Sequence, residues 1–176
     1  MAARADAVVA DVGTGSGCLA ATLALELPRA RVWATDISGD ALAVARDNAA
    51  RLGAAVGFLQ GPYLDGVPRP IDLVVSNPPY VAEHDRPGLA PEVAEHEPAV
   101  ALFGGDDGWR DVRAVLRESS EALAMGGRLV MEMGYGQSEQ ISSEIAGVDG
   151  LVLEEIRADL QGIPRVVIAR RVGGDA

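Results

Sequence analysis

The chain has 176 residues, 48% hydrophobic but only 4% aromatic, with a net charge of -11, so it can bury a sizeable core as one domain but must fill it with Val, Leu, Ile and Ala. All 15 cationic residues are Arg, which excludes a Schiff-base lysine and the phosphate-binding Lys of a P-loop, and the acidic balance argues against a large nucleic-acid footprint. One cysteine, Cys18, and two histidines, His84 and His96, are too few for an internal disulfide or a Cys/His zinc site; with no signal peptide and no bilayer-length apolar run, a cytoplasmic location with no membrane contact is expected.

In chain order, residues 8–12 form a short apolar run ending in a glycine cluster, and residues 18–27 follow as an Ala/Leu-rich helix stopped by Pro28. Cys18, on that helix, reads as a small buried hydrophobe. A second strand over 31–35 ends at Asp36, and Ser38 stands at the N-cap of a helix over 40–52 that Gly53 terminates. Strands over 56–60 and 71–76 are joined by a Pro/Gly-rich connection, and a polar stretch over 81–107 is long enough to be a lid or substrate loop. A helix over 109–124, a strand over 128–133, a helix over 137–146 and strands over 151–157 and 165–170 complete the pattern. Alternating strands and helices predict an α/β doubly wound sheet in a single domain, with ligands beyond the carboxyl ends of the strands.

Asp11-Val12-Gly13-Thr14-Gly15-Ser16-Gly17 opens the first helix, so glycines let backbone approach a ligand while helix N–H groups point at it. The spacing Gly13, Gly15, Gly17 is not the Gly-x-Gly-x-x-Gly of a dinucleotide site, and Asp11 would repel a diphosphate. An acid there suits the α-amino group of S-adenosylmethionine, with Asp36 placed to accept from both ribose hydroxyls.

Ser76-Asn77-Pro78-Pro79-Tyr80 follows the fourth strand and presents an amide, rigidly held carbonyls and a ring. Such a set suits a planar NH2 group, whose conjugated lone pair is a poor nucleophile until acceptors hold its protons and turn it toward an electrophile. The Asn77 oxygen and the Pro78 carbonyl are candidate acceptors and Tyr80 a stacking surface, although an isolated Asn-Pro-Pro also makes a plain turn.

With both motifs, Glu97 through Gly108, Glu132-Met133-Gly134 with Gln137, and Asp159-Leu160 followed by Arg165, the chain resembles the class I S-adenosylmethionine-dependent methyltransferases that modify a glutamine of peptide-chain release factors. The resemblance implies a seven-stranded, mostly parallel sheet with the last strand antiparallel, and methyl transfer to the side-chain amide of the Gln in a Gly-Gly-Gln motif. It implies that Asp11, Gly13, Thr14, Gly15, Ser16 and Gly17, with Asp36, Ile37, Tyr63 and Asn77, hold the cofactor, and that Asn77 and Pro78 receive the target amide with Tyr80 alongside. The family usually carries an acid before the aromatic after the third strand; here Pro62 replaces it, Tyr63 remains to pack on adenine, and Asp65 is a candidate substitute. Bacterial members carry an N-terminal helical docking domain that is expected to be absent here, and eukaryotic relatives pair with a small activator protein. A release factor is thus the expected partner, with an activator protein or self-association through an uncovered apolar face as further partners.

Three alternatives stay open: a ribosomal-protein glutamine as target, amino-methylation of DNA or RNA bases, and a cofactor-binding module of little activity. The remaining polar residues read blandly: His84 and His96 as solvated loop residues, Glu132 as a structural hydrogen-bond partner, and Arg110, Arg113 and Arg117 as a solvated helix face.

Overall fold

Strand β1 (Val8–Val12) is buried along its whole length, sending Val8, Ala10 and Val12 into one packing layer and Val9 into the other. Two-sided burial of this kind belongs to an interior parallel strand. The computed structural model describes residues 6–88 and 98–173. The other strands are β2 (Arg31–Asp36), β3 (Val56–Gln60), β4 (Ile71–Ser76), β5 (Leu123–Glu132), β6 (Leu151–Ala158) and β7 (Pro164–Arg171). They form one seven-stranded sheet in the order β3-β2-β1-β4-β5-β7-β6. Strands β1 to β5 pair in parallel, whereas β7 lies antiparallel between β5 and β6. The expected doubly wound α/β sheet with an antiparallel last strand is the fold observed.

The helices are α1 (Cys18–Glu26), α2 (Gly39–Leu52), a short α3 (Ala99–Leu102), α4 (Arg110–Ala122) and α5 (Ser138–Ala146). Val112, Val115 and Leu116 of α4 and Ile141 and Ile145 of α5 pack on one face of the sheet with Val74, Leu129, Met131 and Val167. On the other face Ala20 of α1 meets Val9, Val32 and Ala34. The cap chemistry of α2 is as expected: the Ser38 hydroxyl accepts from the Ala41 amide at 3.2 Å, and Gly53 ends the helix at φ 69°. Among the described residues no helix is long and apolar enough to cross a membrane.

Three local expectations are corrected. The helix expected over 109–124 ends at Ala122, because Leu123 pairs with Ile71 and β5 then bulges through Gly126 (φ 78°) before Arg128 pairs with Leu73. A side chain at Gly127 would meet the Ala124 and Ile71 carbonyls, so this detour is open only to glycine. Within the stretch expected to be a loop over 81–107, the described part contains a 3-10 helix (Glu83–Gly88) and α3, closed at the base by a bridge between Val81 and Phe103. Arg86 lies over the Phe103 ring at 3.9 Å and pairs with Glu83, tying the 3-10 turn to that base. His96 and Glu97 lie outside the described residues. Cys18 is exposed, because only Ala20 and Ala21 of α1 are buried; Leu19 and Leu25 of the same helix are exposed as well.

Candidate active site

Strand register brings the site together. Val12 pairs with Thr35 and with Ser76, and Asp36 pairs with Gln60, so β1 to β4 end at one level. From β1 the chain runs outward to β2 and β3 and then returns to β4 on the other side, which opens a crevice between the β1 and β4 ends. The buried Ser76 hydroxyl donates to the Val12 carbonyl at 3.0 Å and holds those ends together. Above them lies a cavity of about 520 Å³.

The loop after β1 divides its glycines by task. Gly13 (φ 68°) and Gly15 (φ 55°) line the cavity, and a Cβ on either would project into open space. Gly17 (φ 79°) faces the other way: a Cβ there would sit 2.8 Å from that of Ala45, so its absence lets α2 approach α1. The Thr14 amide donates to the Thr35 carbonyl at 3.0 Å and docks the loop on β2. Asp11 lies beneath the loop at 1% exposure, its Oδ2 accepting from the Thr14 hydroxyl at 2.6 Å and the Ala20 amide at 3.0 Å. Burial pushes the Asp11 carboxyl up, these two hydrogen bonds pull it down, and the Asp36 charge adds to the rise. Asp11, Thr14 and Gly17 thus stand buried behind the cavity wall, and Ser16, exposed, also lies off it, its carbonyl accepting from Asn48.

Asp36, Ile37 and Tyr63 are on the wall. The Asp36 carboxylate accepts from the Gly15 amide and from the Ser38 amide, each at 2.9 Å. Ile37 is 55% exposed, an aliphatic side chain turned toward the opening rather than the core. Tyr63 adopts φ 45°, which a non-glycine residue holds only when its surroundings over-determine it. They do so here: its carbonyl accepts from the Thr35 hydroxyl at 2.5 Å, its own hydroxyl donates to Asp111 Oδ1 at 2.8 Å, and the next amide donates to Glu118. Burial, joined by the Asp111 hydrogen bond and charge, pushes the Tyr63 phenol up to about 12.

After β4, Asn77 is exposed and lines the cavity, and among the described residues its side chain has no hydrogen-bond partner. Pro78 is buried beside it. Tyr80 does not line the cavity; its hydroxyl donates to Glu132 at 3.3 Å, and its carbonyl accepts from the Gln137 side-chain Nε2, while Gln137 Oε1 accepts from the Gly134 amide. The end of β5 therefore clamps the turn from behind. Gly104 and Gly108 support it from the front, because a Cβ on either would strike the Pro79 or the Tyr80 carbonyl.

Sequence reasoning missed Arg110, Asp111 and Val115 of α4 as parts of the wall, whereas Pro98, Val100 and Ala101 of the α3 region fall within the stretch over 81–107 expected to be a lid or substrate loop. Arg110 is not part of a plain solvated face, since it donates to the Phe103 carbonyl at 3.2 Å and to Asp111 at 2.9 Å. Arg113 pairs instead with Asp107 and Glu144. No residue pattern announces Asp111, because its place depends on the start of α4 meeting Tyr63 in the segment after β3. Asp65, the candidate substitute carboxylate, is exposed and does not line the cavity.

The methyltransferase small domain matches residues 1–100. The chain belongs to that family. It is 43% identical over 166 residues to a release factor glutamine methyltransferase of Bradyrhizobium diazoefficiens, covering 93% of this chain and 56% of the relative. A protein of the same name from Deinococcus radiodurans is 43% identical over 166 residues, with 94% and 59% covered. The chain therefore spans little more than half the length of the curated relatives it matches. Among solved structures, a methyltransferase from Pyrococcus furiosus superimposes with a TM-score of 0.72 at 20% identity, over 96% of this chain and 77% of that one, a likeness of fold. The resemblance to class I methyltransferases drawn from the motifs thus holds for family and fold.

Proposed function

We propose that this domain transfers a methyl group from S-adenosylmethionine to the side-chain amide nitrogen of a protein glutamine, the Gln of a Gly-Gly-Gln motif in a peptide-chain release factor. The observation that carries the reading is Asn77, an amide with no partner among the described residues, on the wall of a cavity whose glycine loop faces it across the sheet's switch point. Asn77 is exposed at the carboxyl end of a parallel strand, where its amide is available to a substrate. The name shared by relatives 43% identical supports the same substrate.

The cavity fits the cofactor. Gly13 and Gly15 leave open the space that side chains would fill, and Asp36 offers carboxylate oxygens suited to a ribose diol. When bound, the sulfonium supplies an electrophilic methyl group. The Asn77 Oδ1 and the Pro78 carbonyl accept the two N–H groups of the target amide, turning its lone pair toward that carbon. Positive charge grows on the nitrogen as its bond to the methyl carbon forms and that carbon's bond to sulfur breaks, leaving a neutral thioether, and the same two oxygens would stabilise it. One proton then leaves the alkylated nitrogen for solvent at the cavity mouth. Little acid–base chemistry is needed, and positioning can supply about 7 to 11 kcal/mol of the barrier reduction. Asp11 acts through the loop it holds, and Tyr80 through the turn it anchors on Glu132. The exposed Leu19 and Leu25 of α1 offer an apolar surface for a covering partner, whether an activator protein or a second copy.

The test is transfer from radiolabelled S-adenosylmethionine to a purified release factor, beside its Gly-Gly-Ala variant and a nucleic-acid control. Label on the wild-type factor alone is expected. Label on the nucleic acid, or on both factor variants, overturns the assigned substrate.

A further inference from the structure

Strand order sets the direction in which an S-adenosyl group lies, and the inference below rests on the cofactor reading above. Its methyl must face Asn77 at the end of β4, and its ribose must reach Asp36 at the end of β2, with β1 between them. The base is bonded to the ribose on the side away from sulfur, so it extends past β2 toward β3. There the wall is made by Gly61, Pro62 and Tyr63, with Ile37 and Val115 adding apolar surface for a planar ring.

That wall needs an acceptor for the exocyclic amino group of adenine. The Pro62 side chain offers none and its carbonyl already accepts from the Asp65 amide at 3.1 Å, while the neutral Tyr63 hydroxyl is a weaker acceptor than the carboxylate to which it donates. It donates to Asp111, which the start of α4 brings against the segment after β3 to line the same cavity. Among the described lining residues, Asp36 and Asp111 are the carboxylates, and strand order assigns them to the two ends of the nucleoside. Asp111 has capacity to spare: Oδ1 accepts from Tyr63 and Oδ2 from Arg110, while each carboxylate oxygen can accept twice. Its side chain keeps 15% of its surface exposed, so it is not sealed from a ligand.

We propose that Asp111 is the base-selecting residue, its carboxylate accepting from the adenine amino group in place of the acid that Pro62 displaces. Tyr63 and Arg110 fix its position and balance its charge. The raised Tyr63 phenol keeps its proton at neutral pH and so remains a donor to Asp111.

The test is calorimetric binding of S-adenosylhomocysteine and S-inosylhomocysteine, in which a carbonyl oxygen replaces the amino group and faces the carboxylate. A hydrogen bond to a charged acceptor corresponds to about a 10- to 100-fold preference for the amino form in the wild-type protein. Asp111→Ala and the shape-conserving Asp111→Asn, whose amide can face either base, are expected to collapse that preference. Asp65→Ala should keep it. A wild-type protein without preference, or an Asp111→Asn variant that retains the full preference, overturns the assignment. Failure of the wild type to bind either compound would instead refute the cofactor reading, and this inference with it.

Discussion

At the β2 and β3 ends of the cavity the polar side chains are already engaged: Asp36 with Gly15 and Ser38, Asp111 with Tyr63 and Arg110, and Asp11 beneath them with Thr14 and Ala20. At the β4 end the arrangement is reversed. The backbone of Asn77 to Tyr80 is braced by Ser76, Gln137 and the Gly104–Gly108 loop, while the Asn77 side chain itself holds no partner among the described residues. One end is a preformed surface whose groups need not reorganise to bind a ligand, which limits the ordering cost of binding. The other is a rigid mount for an exposed amide with no partner among the described residues, suited to a group that must act on the reacting atom.

The largest expected effect separates these ends. Asn77→Ala should slow methyl transfer about 100- to 1000-fold, the usual cost of removing one preorganised electrostatic group. Cofactor affinity measured by calorimetry should be nearly unchanged. Near-normal turnover would remove Asn77 from the reaction, and a matching loss of affinity would show that the two ends are not separate.

A smaller contrast lies within the glycine loop. Gly17→Ala should destabilise the fold by about 2 to 4 kcal/mol, combining left-handed backbone strain with a clash against Ala45. Gly13→Ala meets open space, so it should cost only the backbone part, about 1 to 2 kcal/mol, while its methyl group obstructs the cofactor. Denaturant melts read beside cofactor titrations check both halves; equal destabilisation by the two variants would contradict the division of tasks.

The smallest effect concerns the brace at Tyr63. Tyr63→Phe should lose about 1 to 2 kcal/mol of stability near pH 8 through its hydrogen bond to Asp111. The phenol is raised from 10.0 to about 12 in the folded protein, so folding favours its neutral form. That stabilisation is complete below about pH 10 and is lost as pH rises toward 12. The gap between wild type and variant should therefore narrow in melts at pH 11, and a constant gap would mean that the hydrogen bond does not set it.

Much of this was legible in the chain. Runs such as VVADV and IDLVVS announce interior strands because two-sided burial leaves no polar face to alternate, and Ser38 and Gly53 mark α2 through local cap chemistry. The glycine loop and Asn77 are contiguous motifs at strand ends, so their shared location follows from topology alone. Legibility failed where position depends on another element. Nothing in the Asn-Pro-Pro-Tyr motif announces that the Tyr80 hydroxyl is held by Glu132 at the end of β5, and Cys18, expected inside, is outside because α1 buries only two alanines. The Leu123 boundary moved because pairing with Ile71 overrode helix propensity.

By itself the sequence determined the order of elements, the family and the two motifs that face each other across the sheet, since each depends on local periodicity, turn chemistry or contiguous residues. Only the tertiary structure decided which of those residues reach the cavity. It set Asp11 and Gly17 behind the wall and brought Asp111 onto it from a helix 48 residues beyond Tyr63. The reason is physical: a side chain's exposure to a cavity is set by what packs around it, and that packing joins segments with no spacing rule between them.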